Sequence, residues 1–208
     1  MKVVSTNIGE KVEINYHGKV EKTGMYKHAV DQPIVLGRDD VFDDSVVDRR
    51  YHGGSDKACY CYSEKHYEYW KNKFPNLKWD FGMFGENLTI SNLDEEKLKI
   101  GDVFQIGSAK VQVTQPRQPC YKLNYRFDCD SMVRQFIDSG FSGVYIRVLE
   151  EGKIMRNDEL ILLNRRENSL FVKEVYKLLY EPIKDKMQLE KALSDPALAA
   201  SCKRDLQK

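Results

Sequence analysis

One cysteine sits where a fixed sulfur would be useful. Cys120 ends the run Gln115-Pro116-Arg117-Gln118-Pro119-Cys120, which follows the alternating stretch Lys110-Val111-Gln112-Val113-Thr114. The two prolines restrict the backbone on either side of Arg117 and Gln118. A thiol at a strand end, in a stiff loop beside an arginine, suits ligation of a soft metal, because a nearby cation favours the thiolate. The hexapeptide equally allows a cysteine packed as a small hydrophobe.

Three further clusters carry chemistry-bearing residues. In His52-Gly53-Gly54-Ser55-Asp56-Lys57-Ala58, paired glycines let the backbone approach a ligand and free N–H groups for an anion. The same segment also reads as a turn entering the strand Ala58-Cys59-Tyr60-Cys61-Tyr62. Phe84-Gly85-Glu86-Asn87-Leu88-Thr89 offers Asn87 with both donor and acceptor edges. Lys22-Thr23-Gly24-Met25-Tyr26-Lys27 places two lysines and a hydroxyl around a glycine, as a phosphate loop or a lysine-bearing surface turn would. Cys59 and Cys61 share one strand face, but no second pair or neighbouring histidine completes a zinc set. A Cys120–His52 pair for hydrolysis fits the composition, without a recognisable third member. There is no Gly-x-Ser-x-Gly elbow, Walker loop or dinucleotide fingerprint.

These clusters need a scaffold, and most of the chain reads as β structure. Up to about residue 165 there are short alternating runs with glycine turns: 12–16, three strands between Lys97 and Thr114, 144–149, 153–155 and 159–163. Two helices interrupt them. One is capped by Ser63 and runs to Phe74, with Tyr67, Trp70 and Phe74 on its buried face. The other spans about Ser131 to Ser139 and stops at Gly140. After Arg166 the pattern turns helical. Asn168-Ser169 can cap a first helix, 184–193 offers a second, and Asp195-Pro196 can open a third through Leu206. Residues 1–165 therefore read as a β domain and 166–208 as an appended three-helix unit. Its apolar faces need cover, from the β domain or from a second subunit in a homodimer.

The bulk numbers exclude several classes. The 208 residues are 41% hydrophobic and 31% charged, yet their formal net charge is only +1. That balance argues against nucleic acid or an anionic membrane as the main partner. No apolar run reaches the length of a membrane span, and Met1 to Asn7 lacks the pattern of a signal peptide. Five cysteines without regular spacing argue against a disulfide scaffold and for a reducing cytoplasm.

Taken together, the motifs resemble the MOSC domain family, and within it the YiiM-like branch. The matching segments are Thr23-Gly24-x-x-Lys27, His52-Gly53-Gly54-x-Asp56-Lys57-Ala58, Phe84 to Thr89, Ile100-Gly101-Asp102 and Gln115-Pro116-Arg117-x-Pro119-Cys120-x-Lys122-Leu123, in the family's order. The resemblance implies a mainly β fold with helices: a MOSC-type β-barrel followed by a small three-helix domain. It implies binding of molybdenum cofactor, a metal dithiolene on a phosphorylated pterin, with Cys120 as the metal ligand. Lys22, Thr23 and Lys27 fall where the family holds the pterin and its phosphate. Asn87 matches a cofactor-contacting asparagine, and His52 and Arg117 are candidates for the pocket wall. One stretch departs: where the family commonly has Gly-Leu-x-Gly-Asp, this chain has Asp40-Val41-Phe42-Asp43-Asp44.

The implied activity is reduction of small N-hydroxylated compounds, such as N-hydroxylated purine bases, to amines. No flavin or nicotinamide motif is visible, so a separate reductase would supply electrons. A molybdenum-cofactor or sulfur carrier without turnover would use the same cysteine.

Overall fold

The alternating run ahead of the cysteine forms the longest strand of the chain's computed structural model, which describes residues 1–16, 18–49 and 53–208, with Tyr16 as backbone only. This strand, β9 (Ala109–Pro116), buries every second residue at first and every residue at its end. The change of pattern marks where it passes beneath other chain segments just before Arg117.

The elements around it are, in chain order, β1 (Val3–Gly9), β2 (Val12–Tyr16), β3 (Lys19–Thr23), β4 (Lys27–Val30), β5 (Ile34–Leu36), β6 (Cys59–Ser63), α1 (Glu64–Lys73), β7 (Leu88–Ile90) and β8 (Val103–Ile106). After β9 come α2 (Lys122–Arg126), α3 (Met132–Ser139), β10 (Val144–Glu150), β11 (Gly152–Ile154), β12 (Leu160–Asn164), α4 (Val172–Tyr180), α5 (Lys186–Ser194) and α6 (Ala200–Leu206). The main sheet has eight strands in the order β12-β8-β9-β10-β6-β7-β1-β4. Its neighbours are antiparallel except β6 and β7, which are parallel and joined by the crossover that contains α1. β2–β3 and β5–β11 form separate two-stranded ladders.

The fold is mainly β with helices, as the motifs imply, but the sheet does not close into a continuous barrel. β1 is paired along its length with β4 and β7, so only its start can reach β12. The chain meets there through one isolated bridge, Lys2 with Glu159, and three backbone bonds: Leu160 N–H to the Met1 carbonyl (3.0 Å), Val3 N–H to the Asp158 carbonyl (2.9 Å) and Asn157 N–H to the Val3 carbonyl (2.8 Å).

Two apolar clusters fill the molecule. One joins the sheet interior to the C-terminal helices: Ile100, Val111 and Val113 lie in the same cluster as Val172, Val175, Leu178, Cys202 and Leu206. α4 and α6 therefore cover their apolar faces on their own sheet, while Met187 of α5 stays exposed. The second cluster is aromatic and lies under α1 and α3. Trp70 and Phe136 stack at 6.2 Å between centroids, and Tyr62 and Phe84 approach to 4.5 Å.

Some boundaries shift for identifiable reasons. Ser169 does not cap a helix; its hydroxyl donates to Asp195, and α4 starts three residues later, where the Glu174 carboxylate accepts from the Phe171 N–H at 2.7 Å. Asp195 accepts from Ala197 N at 2.9 Å, yet α6 begins only at Ala200, because Ala199 is held extended by its N–H bond to the Thr114 carbonyl at 3.2 Å. Docking on β9 thus delays the helix. Helix α2 directly follows the cysteine and was not anticipated. The first of three strands expected between Lys97 and Thr114 is a turn with a single bridge from Lys99 to Phe171. Among the described residues no helix is long and apolar enough to cross a membrane.

Phe136 is completely buried at the centre of the aromatic cluster. Truncating it (Phe136→Ala) should cost about 3–5 kcal/mol, the usual loss for a buried phenylalanine. Urea unfolding would measure this, and a loss below about 1 kcal/mol would mean that the cluster does not brace this region.

Candidate active site

The cysteine turn is fastened from several sides. The Thr114 hydroxyl donates to the carbonyls of Asp56 (2.6 Å) and Tyr145 (3.0 Å), tying the end of β9 to the Gly-Gly segment and to β10. Gln115 accepts from the Ser201 hydroxyl at 3.1 Å, and Gln118 donates to the Asp205 carboxylate at 3.2 Å. Both partners lie on α6, so the C-terminal helices grip the turn directly. On the far side, Cys120 begins the turn into α2, its carbonyl accepting from Leu123 N at 3.0 Å.

Asp56 extends this fastening. Its carboxylate pairs with Arg147 of β10 and accepts from the Ala200 N–H at 3.1 Å. The acid singled out beside the two glycines therefore joins β10 to the start of α6.

Cys120 is a half-buried free thiol on the wall of a cleft enclosing about 680 Å3, its open mouth included. Thr23, Lys27, Asn87 and Arg117 line the same cleft, together with Asp44, Lys57, Lys122 and Tyr145. Lys22 is not among the lining residues; its ammonium lies 3.6 Å from Glu13 on the β2–β3 hairpin. Its carbonyl instead accepts from the Lys122 ammonium at 3.0 Å, which holds the hairpin against α2. His52 lies outside the described residues.

Lys27 is buried and forms an ion pair with the equally buried Asp44. Asp44 also accepts from Asn87 Nδ2 at 3.0 Å and from the Gly9 N–H at 2.9 Å. Asn87 in turn accepts from Tyr60 N at 3.3 Å. Lys27, Asp44 and Asn87 thus form one satisfied network that fixes the cleft floor to β1 and β6. Where the family commonly has glycine, Asp43 adopts φ 64°, the left-handed conformation that glycine favours. Asp43 thus takes a backbone conformation open to glycine, and Asp44 joins the cleft network.

Arg117 is the unusual group. It is only 4% exposed, and its guanidinium lies 5.2 Å from the Tyr60 ring centroid and 5.1 Å from that of Phe136. Burial opposes its charge, while Tyr60, Tyr145 and Cys120 favour it; the net direction is upward, so it stays cationic. Its Nη1 is buried and has no hydrogen-bond acceptor among the described residues. An unmade bond on a buried cation is costly, and an anionic ligand in the cleft would satisfy it. Among the described residues no group of three or more His, Cys, Asp or Glu could hold a metal ion. A metal here would be held by Cys120 together with ligands that the protein does not supply. Cys59 and Cys61 are buried in the core, and burial pushes the Cys59 thiol well up, which disfavours metal ligation.

A thiol on a braced turn, an unsatisfied buried arginine and an open cleft are the residues that an anionic group bearing a soft metal requires. The MOSC domain model matches residues 48–161, which include the Gly-Gly segment, Asn87 and the cysteine turn. This chain belongs to the MOSC domain family. It is 38% identical over 206 residues to the uncharacterized protein YflK of Bacillus subtilis (strain 168), covering 99% of this chain and 93% of that one. It is 33% identical over 201 residues to protein YiiM of Escherichia coli (strain K12), covering 93% and 89%. The crystal structure of YiiM from Geobacillus stearothermophilus superposes with a TM-score of 0.83 at 31% identity, over 99% of this chain and 97% of that one. The chain falls in the YiiM-like branch of the MOSC family.

The motifs carry Lys57 and Lys122, and the departing stretch carries Asp44, without a site role for any of them; Tyr145 lies outside the motifs. The signal for Lys57 and Lys122 was their place two or three residues beyond Gly54 and Cys120. For Asp44 it was the acidic position closing the Asp40–Asp44 stretch; Tyr145 gave none, because it reaches this MOSC cleft through tertiary contacts.

The Lys27–Asp44 pair yields a stability test. Asp44→Ala should destabilise by about 3–5 kcal/mol, because it strands a buried ammonium. Adding Lys27→Met should recover part of that loss. Urea unfolding of both variants checks this, and a double variant less stable than Asp44→Ala would contradict the pairing.

Proposed function

We propose that this MOSC protein is a molybdenum-cofactor-dependent reductase that converts N-hydroxylated compounds to amines. The observation that carries the reading is the position of Cys120, which lines the cleft together with Arg117, whose Nη1 has no acceptor among the described residues. Cys120 would hold the metal. Arg117 would donate its unused N–H to an anionic part of the cofactor, and Thr23, Lys27 and Asn87 would line the pterin side. Lys22 would act through its carbonyl, which steadies Lys122. His52 is proposed on sequence grounds as the second catalytic group.

When bound, the cofactor supplies the two-electron redox chemistry. The overall step balances: the N–O bond breaks, two electrons and two protons enter, and an amine and water leave. The electrons would come from a separate reductase. Five free thiols are consistent with work in the reducing cytoplasm. A second, adjoining cavity shares Cys120 with the first and favours turnover over carriage, because a carrier needs room for the cofactor alone.

The test is molybdenum content and reduction of 6-N-hydroxylaminopurine by protein made in a cofactor-competent host. The wild type should carry near-stoichiometric molybdenum and turn over with a chemical reductant. Cys120→Ala should lose both while keeping its urea midpoint within the scatter of surface variants. Full activity in Cys120→Ala would refute the ligand assignment.

A further inference from the structure

Two chain segments a hundred positions apart line the first cleft together: Thr23, Gly24 and Met25 at the end of β3, and Cys120 with Lys122 after β9. Three contacts join the two segments, each residue meeting the one a hundred positions later. The Tyr121 hydroxyl donates to the Glu21 carboxylate, the Lys122 ammonium donates to the Lys22 carbonyl at 3.0 Å, and the Arg126 guanidinium lies 4.2 Å from the Tyr26 ring centroid. The bridge is therefore built on the residues that immediately follow the cysteine.

We propose that this bridge is a latch: it holds the end of β3 against the cysteine turn over a bound ligand, and its opening sets the rate at which that ligand enters and leaves. Glu21 and Tyr121 act in it as positioning residues, without touching the reacting atoms. The identity of the ligand, molybdenum cofactor, rests on the reductase reading above.

The two sides of the cysteine turn differ in strength. Upstream, Thr114 is completely buried and ties the turn to the Gly-Gly segment and to β10. Downstream, Tyr121 is 41% exposed, and Glu21, Lys122, Tyr26 and Arg126 are half-buried. Polar contacts that close to water are individually weak and open locally, ahead of the fold. β3 adds little resistance, because β2 and β3 form a ladder of their own outside the main sheet. At its foot the chain is fixed again. Gly24 packs so closely on Ser45 that a Cβ would fall 1.7 Å from the Ser45 carbonyl oxygen, and buried Lys27 is paired with Asp44. A ladder with a fixed foot, held further out by weak bonds, can swing without disturbing the cleft floor. α2 does not give way instead, because Leu123 and Phe127 are buried in the aromatic cluster.

Cofactor-free protein, as the full chain, gives a readout apart from activity. Cys120 is alkylated with iodoacetamide, which is small, and with fluorescein maleimide, which is bulky, and both rates are followed by mass spectrometry. Glu21→Ala and Tyr121→Phe should each speed the bulky reagent about threefold, the worth of one exposed polar contact. The double variant should be no faster than either, because both changes remove the same bond. Iodoacetamide rates should stay at the wild-type value, and urea midpoints within the scatter of surface variants. In loaded enzyme the same variants should shorten the half-time of molybdenum loss by a similar factor. Unchanged bulky-reagent rates, equal acceleration of both reagents, or a double variant several-fold faster than either single one would overturn the latch. Faster bulky labelling in a protein that takes up no molybdenum in a cofactor-competent host would refute the reductase reading and leave the latch standing.

Discussion

A guanidinium buried beneath a cysteine turn is the constraint around which this molecule is organised. Taking Arg117 out of water costs several kcal/mol, and among the described residues no carboxylate pairs with it. The aromatic faces of Tyr60 and Phe136 replace part of the lost hydration. Those rings are positioned by β6 and α3, and α1 closes the cluster behind them with Trp70. Nη1, without an acceptor among the described residues, is the residual cost, and Arg117 lines the cleft where a ligand could satisfy it. Structure and function meet at this atom: a fold selected for stability alone would gain from removing it.

The cleft walls show how the protein separates charges that hold the fold from charges available to a ligand. Lys27 is neutralised by Asp44 inside a network that also secures Asn87 and β1. Its contribution to a bound phosphate would be weaker than its position suggests, because its partner is already in place. Among the described residues Arg117 has no such partner. The C-terminal helices belong to the same design, since they close the apolar side of the sheet and hold the cysteine turn through Gln115, Gln118 and Ala199.

Much of this was legible in the residues. Local periodicity marked β9, β10, α1 and α3, and the proline-braced cysteine marked the end of β9, because such signals depend only on neighbouring positions. The MOSC motifs named the segments that converge on the cleft. What stayed hidden were the pairings across the chain. Lys27 and Asp44 are 17 positions apart, and Gln118 and Asp205 are 87 apart. Nothing local shows that one lysine is neutralised and one arginine is not. The delayed start of α6 was hidden for the same reason, since the Asp195-Pro196 signal is sound locally and is overridden by the bond between Ala199 and β9. The open seam of the sheet follows from β1 having two other partners.

The central claim is that the cofactor occupies the cleft with Cys120 on its metal. Mass-spectrometric mapping of thiol alkylation, in protein with and without cofactor, tests this directly. The half-buried Cys120 should be alkylated readily in cofactor-free protein and protected in the loaded form, while buried Cys59, Cys61 and Cys202 stay unreactive in both. Equal labelling of Cys120 in the two forms would contradict the account, because a sulfur bound to the metal cannot also be a free nucleophile.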